Sequence, residues 1–455
     1  MRTLIKHALK SESPLDTVTI KGWVRTRRDS KEFTFLEIND GTCIGNIQCI
    51  ADAGIPGYED VSKMSTGAAV GITGKLIESP GKGQKWEIHA SSIDLIGESP
   101  ADYPLQKKGH TPEFLRSISH LRPRANLYGA VFRMRSRMAQ AVHRFFNERD
   151  FNYVHTPIIT ASDCEGAGEM FRVSTHDESK AEVQPYDQDF FNKASYLTVS
   201  GQLEGEAFAT ALSNIYTFGP TFRAENSHTS RHACEFWMVE PEMAFCDLEG
   251  DMDLAEEFVQ YLVKDSLDNN EGDLNIFNQF IDKGLYDRLH FVAEKPFQRV
   301  SYTEAVEILI KSGQKFEYPV QYGINLQSEL ERYLTEQHFK CPTTVYNYPK
   351  EVKPFYMRLN DDNKTVTAMD VLVPGLGEII GGAQREERID LLRDNMKHHQ
   401  LNEEDYWWYL DLRKYGTCPH AGFGMGFERM LMFTTGMKNI RDVIPFSRTP
   451  GSCEF

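Results

Sequence analysis

The chain has 455 residues, 40% of them hydrophobic and 25% charged, with 50 basic against 66 acidic side chains and a net charge of −16. That length implies two or three folding units with a sizeable combined core. No apolar run approaches the ~20 residues that span a bilayer, and the negative balance offers nucleic acid no long-range attraction, so any such contact must rest on local basic patches. The start, Met1-Arg-Thr-Leu-Ile-Lys-His7, has neither a continuous apolar stretch nor a small-residue cleavage pattern. A secretory signal is therefore not expected, and the expected compartment is the cytoplasm. Cysteines at 43, 49, 164, 234, 246, 341, 418 and 453 form no CxxC pair and no zinc-spaced cluster; they read as reduced packing thiols.

Residues 1–100 read as short alternating strands, Val18–Val24, Phe33–Ile38, Ile44–Ile50, Ala69–Thr73 and Trp86–Ile93, with turns at Asn39-Asp-Gly41 and Pro80-Gly-Lys-Gly83. Five such strands suggest a small barrel, and an OB-fold is the natural candidate. From Glu98 to Arg124 the chain is richer in Pro, Lys, Arg and His, as a connector with a basic face would be. Beyond it Val131, Met134, Met138, Val142 and Phe145 recur at three- and four-residue steps, predicting an amphipathic helix whose other face carries Arg133, Arg137 and Arg144. This helix leads into a predicted strand, Tyr153–Ile159, whose Pro157 belongs at an edge or interface. An acidic segment around 247–295 reads as helical, and the carboxy-terminal third is rich in glycine.

Three clusters carry candidate chemistry. Phe222-Arg-Ala-Glu225 is followed by Arg231-His-Ala-Cys-Glu-Phe-Trp-Met-Val-Glu-Pro-Glu242, so two strands and their loop aim cations and an aromatic face into one cleft, as a polyphosphate and a purine require. Asp370 and Glu378, among glycines and ahead of Gly381-Gly-Ala-Gln-Arg385, suit magnesium held against phosphate oxygens. In Gly422-Phe-Gly-Met-Gly-Phe-Glu-Arg429 the glycines allow close backbone packing and leave Arg429 over the cleft. Taken singly, each is also what a surface ion pair or a tightly packed turn looks like.

In this order, behind a small barrel, the clusters resemble those of the class II aminoacyl-tRNA synthetases of the aspartate, asparagine and lysine subgroup, over essentially the whole length. The helix and strand ending in Pro157 match the family's first motif, Phe222 to Glu242 its second and Gly422 to Arg429 its third, and the ending Asn439–Cys453 is characteristic of the subgroup. The resemblance implies an α+β protein: an OB-fold anticodon-binding barrel over 1–100, a connector over 101–127, and a catalytic domain over 128–455 with an antiparallel sheet flanked by helices and a helical insertion near 247–295. It further implies ATP and Mg²⁺, adenylate formation, transfer of an amino acid to tRNA without a covalent enzyme intermediate, and a homodimer through the first motif.

Residue by residue, the resemblance places Arg223 on the α-phosphate and the substrate carboxylate, Arg231 and His232 near the outer phosphates, Phe236 under the adenine and Arg429 on the γ-phosphate. Glu225 joins this ATP site, and Arg223, Glu225 and Arg429 form the catalytic set. Glu378 and Asp370 would hold magnesium, although they stand one residue further apart than expected of aspartate-specific members. His155 and His420 read as structural. Where aspartate-specific members carry Ser-Pro-Gln-Leu-Phe-Lys, this chain has Ser200-Gly-Gln-Leu-Glu-Gly205. Without that lysine an aspartate side chain would meet Glu204 and Glu240, whereas an amide can donate to a carboxylate and accept from Arg385. The expected substrates are therefore L-asparagine and tRNA(Asn), with Gln202 and Glu165 on the ammonium group and Glu165 in a lid-like loop, Ser162–Glu169. On the barrel Phe35 and Gln48 match anticodon-reading positions, and Arg25, Arg27 and Arg28 form a basic run for backbone phosphates. The alternatives are an aspartate-specific member, against which Gly205 argues; a non-catalytic RNA-binding paralogue, which would have lost motif residues such as Arg223, Glu378 or Arg429, all present here; and an amide-forming paralogue, which would lack the barrel.

Overall fold

The computed structural model describes residues 2–81, 83–164, 170–176 and 185–455. Two compact units are present, Met1–Arg133 with Glu271–Ile276, and Met134–Asn270 with Phe277–Phe455. No helix among the described residues is long and apolar enough to cross a membrane.

In the first unit β1 (Leu15–Asp29), β2 (Phe33–Asn39), β3 (Ile47–Asp52), β4 (Ala69–Glu78) and β5 (Trp86–Gly97) close a barrel in the order β1-β2-β3-β5-β4. Alternation sets the two faces: Leu36 and Ile38 of β2 join Val18, Ile20, Ile47, Cys49, Ile72 and Ile88 inside, while Phe33, Phe35 and Glu37 lie between them on the outer face. The third strand starts at Ile47 rather than Ile44, because the Asn39 amide donates to the Cys43 and Gly45 carbonyls and holds that stretch as a loop. A short helix that periodicity does not reveal, Ile5–Leu9, inserts Ile5 and Ala8 into the core. The connector is itself packed. Its helix Pro112–Ser117 is capped by Thr111, and Leu105, Leu115 and Tyr128 form a small core. Arg122, expected on a basic face, is buried, its guanidinium 4.9 and 5.8 Å from the ring centroids of Tyr128 and Phe132.

The second unit contains β6 (Asn152–Tyr153), β7 (Ile159–Thr160), β8 (Arg172–Val173), β9 (Ser195–Leu197), β10 (Asn214–Phe222), β11 (Glu235–Ala244), β12 (Gln298–Ser301), β13 (Thr343–Pro349), β14 (Thr365–Val373), β15 (Gly377–Gln384) and β16 (His420–Gly426). Eight of these form one sheet, β12-β13-β14-β15-β16-β11-β10-β6, and β7-β9-β8 form a small one. The sheet is mixed rather than wholly antiparallel: the outer pair at each edge, β12 with β13 and β10 with β6, is parallel. Both parallel pairs are joined by long crossovers that include a helix, as parallel neighbours require. The predicted Tyr153–Ile159 strand is broken in two, since Pro157 has no N–H for a ladder and the chain leaves one sheet for the other around it.

Helix Asn126–Asn147 buries Val131, Met134, Met138, Val142 and Phe145 as predicted, and turns Arg137 and Arg144 toward Asp265. The acidic segment is helical, and its first helix, Leu248–Asn269, lies on the back of the sheet with Phe258 against Phe423 of β16. The front is the cleft. Phe236, Met238, Glu240 and Glu242 alternate onto it from β11, and the glycines of β16 at 422, 424 and 426 keep it shallow beside them.

Candidate active site

Strands β10 and β11 pair from Asn214 with Met243 out to Phe222 with Glu235, and the Arg223 N–H then bonds the Cys234 carbonyl at 3.0 Å. The loop closed in this way carries Glu225, Arg231 and His232. The carboxy-terminal stretch 439–453 holds it in place, because Cys234 N–H bonds the Arg448 carbonyl and Ile440 N–H bonds the Ser230 carbonyl, each at 2.8 Å. A cavity of about 300 Å³ opens beneath, and all seven residues expected for ATP, Arg223, Glu225, Arg231, His232, Phe236, Glu378 and Arg429, line it. The Arg223 guanidinium stands 5.5 Å from the Phe236 ring centroid. In helix Phe427–Thr435 every residue is buried except Arg429, which reaches the cavity. Burial, then Arg429 and Arg332, push the Arg231 pKa down. Cations that repel one another around a cavity are suited to a polyanion.

A second cavity of about 260 Å³ adjoins the first, and Arg223, Met238, Glu378 and Gly424 line both. Its wall holds Gln202, Glu240 and Arg385 as expected, and adds Ser200, Glu242, Lys353 and Tyr356. Glu240 accepts from Ser200 Oγ, from the Gly201 N–H at 3.0 Å and from Thr217 Oγ1 at 3.0 Å, so it braces the Ser200–Gly201 turn. Arg385 makes a two-pronged bond to the buried Glu242, with Nε to Oε2 at 3.1 Å and Nη2 to Oε1. Glu242 lies two residues beyond Glu240 on one strand and so shares its face, which the period of a strand would have revealed. A Cβ on Gly205 would sit 3.6 Å from Glu242 Cγ; the missing lysine leaves its space to this pair. Glu204 is not among the described residues lining the cavity, and Glu165 lies outside the described residues, as does most of the expected lid. His155 is exposed, whereas His420 is buried between the Cys418 carbonyl and Glu206.

Asp370 and Glu378 come together at Gly381, where an added Cβ would lie 3.3 Å from Glu378 Oε1 and 3.5 Å from Asp370 Oδ1. The register shift between Val371 and Leu372 sets their spacing along β14 and β15. Lys353 Nζ donates to both Asp370 oxygens, at 2.9 and 3.0 Å, while Glu378 is only loosely paired with Arg429 at 3.6 Å. A third carboxylate, Glu331, accepts the Glu378 N–H at 3.0 Å; burial and then Glu378 push its pKa up to about 8. Among the described residues no group of three or more His, Cys, Asp or Glu side chains is arranged to hold a metal by itself. One or two carboxylates completed by substrate phosphates is the donor set that magnesium takes.

On the barrel, Arg28 pairs with Phe35 across β1 and β2, its guanidinium 5.2 Å from the ring centroid, and Gln48 pairs with Glu37 across β2 and β3. The three expected anticodon residues thus share one outer face. Arg25 and Arg27 do not join them as a phosphate-facing run. Arg25 donates to the Arg124 carbonyl, and Arg27 to the Val61 and Ser62 carbonyls at 2.9 and 2.6 Å.

A model of the tRNA synthetases class II (D, K and N) matches residues 112–450, and one of an OB-fold nucleic acid binding domain matches residues 18–96. With a barrel ahead of a sheet whose cleft gathers the second- and third-motif arginines, the chain belongs to the class II tRNA synthetases of the D, K and N group. It is 61% identical to an asparagine–tRNA ligase of Nitratidesulfovibrio vulgaris (strain DP4) and 58% identical to one of Microcystis aeruginosa, each alignment covering 100% of both chains. Its fold is similar to that of asparaginyl-tRNA synthetase from Pyrococcus horikoshii complexed with asparaginyl-adenylate, with a TM-score of 0.88 at 31% identity, covering 100% of this chain and 99% of that one. Within the family the chain stands with the asparagine–tRNA ligases.

Proposed function

We propose that the chain activates L-asparagine with ATP, giving asparaginyl-adenylate and pyrophosphate, and transfers the asparaginyl group to the 3′ end of tRNA(Asn). The observation that carries this reading is the pair of adjoining cavities with Arg223 in their common wall. One takes a nucleotide: Phe236 offers the adenine a stacking face, while Arg231, His232 and Arg429 draw the outer phosphates and align pyrophosphate as the leaving group. The other is small and polar, and ends on the Arg385–Glu242 pair. A side-chain amide complements such a pair, accepting from the guanidinium and donating to a carboxylate.

Arg223 then meets both reactants. It offsets the repulsion between the substrate carboxylate and the α-phosphate, and stabilises the charge that builds on phosphorus as the carboxylate attacks in line. Magnesium, held by Glu378 with the lysine-bound Asp370 beside it, would neutralise phosphate charge when bound. In the second step the terminal ribose hydroxyl of the tRNA attacks the adenylate carbonyl and AMP leaves; no side-chain nucleophile is needed. The outer face of the barrel with Arg28, Phe35 and Gln48 serves the anticodon. A homodimer through the first motif is supported by the open edge at β6, where Tyr153 and Trp237 are exposed around a further cavity; sedimentation of the purified chain tests it.

Amino-acid-dependent pyrophosphate exchange, asparagine against aspartate, tests the activity. Asparagine alone is expected to support exchange, and Arg223→Lys to lower it by about 10²–10³. Exchange driven by aspartate would overturn the specificity; exchange with neither would overturn the activity.

A further inference from the structure

Behind the amino-acid cavity, and joined to Gln202 and Arg385 of its wall, lies a buried charge cluster whose centre has no part in the reaction as proposed. Its centre is Glu206, on helix Gln202–Leu212, wholly buried and absent from the cavity wall. Its carboxylate accepts from Gln202 Nε2 at 3.0 Å, from the Tyr409 hydroxyl at 2.9 and 2.8 Å and from Arg413 Nη2 at 2.7 Å, and lies 2.9 Å from His420 Nε2. Arg385 Nε is 3.9 Å from Glu206 Oε1. With Arg385 bound to Glu242, two guanidinium groups face two carboxylates in one dry cluster. Burial works against the Glu206 charge, but Arg413, then the bond to His420, hold its pKa well below the usual carboxylate range. Burial likewise opposes the Arg385 charge, and Glu242 and Glu206 more than offset it; burial also raises the Glu242 pKa to about 8 against the pull of Arg385, whose two-pronged bond is made to the ionised carboxylate.

A balanced cluster suits a neutral amide; one with a positive excess would attract a carboxylate through Arg385. We infer that Glu206 is a positioning residue that sets the charge balance behind Arg385 and orients Gln202, and so makes the site prefer asparagine to aspartate. This rests on the asparagine-activating reading of the same cavity. Because Gln202 Nε2 is held by Glu206, the Gln202 carbonyl oxygen is the end left to accept from a substrate ammonium group.

The test is the ratio of kcat/KM for asparagine to that for aspartate in pyrophosphate exchange, on the full chain with ATP and magnesium. Glu206→Gln keeps the shape and removes the charge, and is expected to lower the ratio by about tenfold or more. Glu206→Asp, which restores the charge, should recover part of it. Arg413→Met removes the opposite charge from the same cluster and should raise the ratio; if Glu206→Gln fails to fold by thermal melting, this variant decides. Equal losses with both amino acids and an unchanged ratio would mean that the cluster only supports the fold, and would overturn the inference. A wild-type chain with no asparagine-dependent exchange would instead overturn the activity on which it rests, and the inference with it.

Discussion

Asp251 shows what a buried carboxyl does without a matching cation. It lies on the helix behind the sheet, fully buried, and an added Cβ on Gly382 would be 3.0 Å from its Oδ2. Burial pushes its pKa well above the usual 3.8, Arg385 only partly offsetting this and Glu242 adding to it. The folded chain therefore keeps a proton that the unfolded chain loses, so this residue's contribution to stability declines as pH rises above the unfolded value. Asp251→Asn imitates the protonated form. Its melting temperature is expected to gain on wild type between about pH 5 and about pH 8, and an equal gap at both would refute the assignment. Gly205 makes the complementary case. A lysine there would begin 3.6 Å from Glu242 Cγ and compete with Arg385 for that carboxylate; Gly205→Lys is expected to cut asparagine-dependent exchange by about tenfold or more, with relatively less loss for aspartate.

Among the elements, β16 shows most directly how sequence builds the cleft. Its alternation sends Ala421, Phe423 and Met425 into the core and leaves glycines at 422, 424 and 426 on the other side. A Cβ on Gly422 would stand 2.3 Å from the Pro241 carbonyl oxygen and 2.5 Å from Glu242 Cδ, so any side chain there must move β11 or the Glu242–Arg385 pair. Gly422→Ala is expected to destabilise the fold by about 1–3 kcal/mol in urea unfolding and to lose exchange activity. Gly219→Ala in β10 is the control, since nothing lies within 4 Å of its Cβ position. Backbone entropy alone favours alanine at both positions, so loss of similar size at both would mean that close approach does not set the cost.

For the molecule as a whole, the proposed function asks both units to meet one RNA despite a net charge of −16. On that proposal, recognition at the barrel rests on a few side chains rather than on a broad basic field. Phe35→Ala removes a stacking face and is expected to raise the KM for tRNA in aminoacylation by roughly tenfold or more. The effect is read relative to pyrophosphate exchange on the same preparation. Exchange falling in step would mean that the substitution acts through folding instead.

The barrel, the amphipathic helix and the gathering of the second- and third-motif residues around one cavity were legible in the sequence because their signals are local. Period-2 alternation puts Phe35 outside and Leu36 inside, and Arg223, Arg231 and Phe236 reach one cavity because a single hairpin carries them. Local spacing also misleads where partners are remote: Arg122 enters the core and Arg27 turns to backbone carbonyls. Remote partners also build the charge cluster behind the second cavity, where Glu206 joins His420 across 214 residues and Arg385 joins Glu242 across 143. Sequence determined which side chains bring charge and where a strand or helix turns them. Only the tertiary structure decided which opposite charges are buried together, because pairing in a dry interior depends on distance in space and not on distance along the chain.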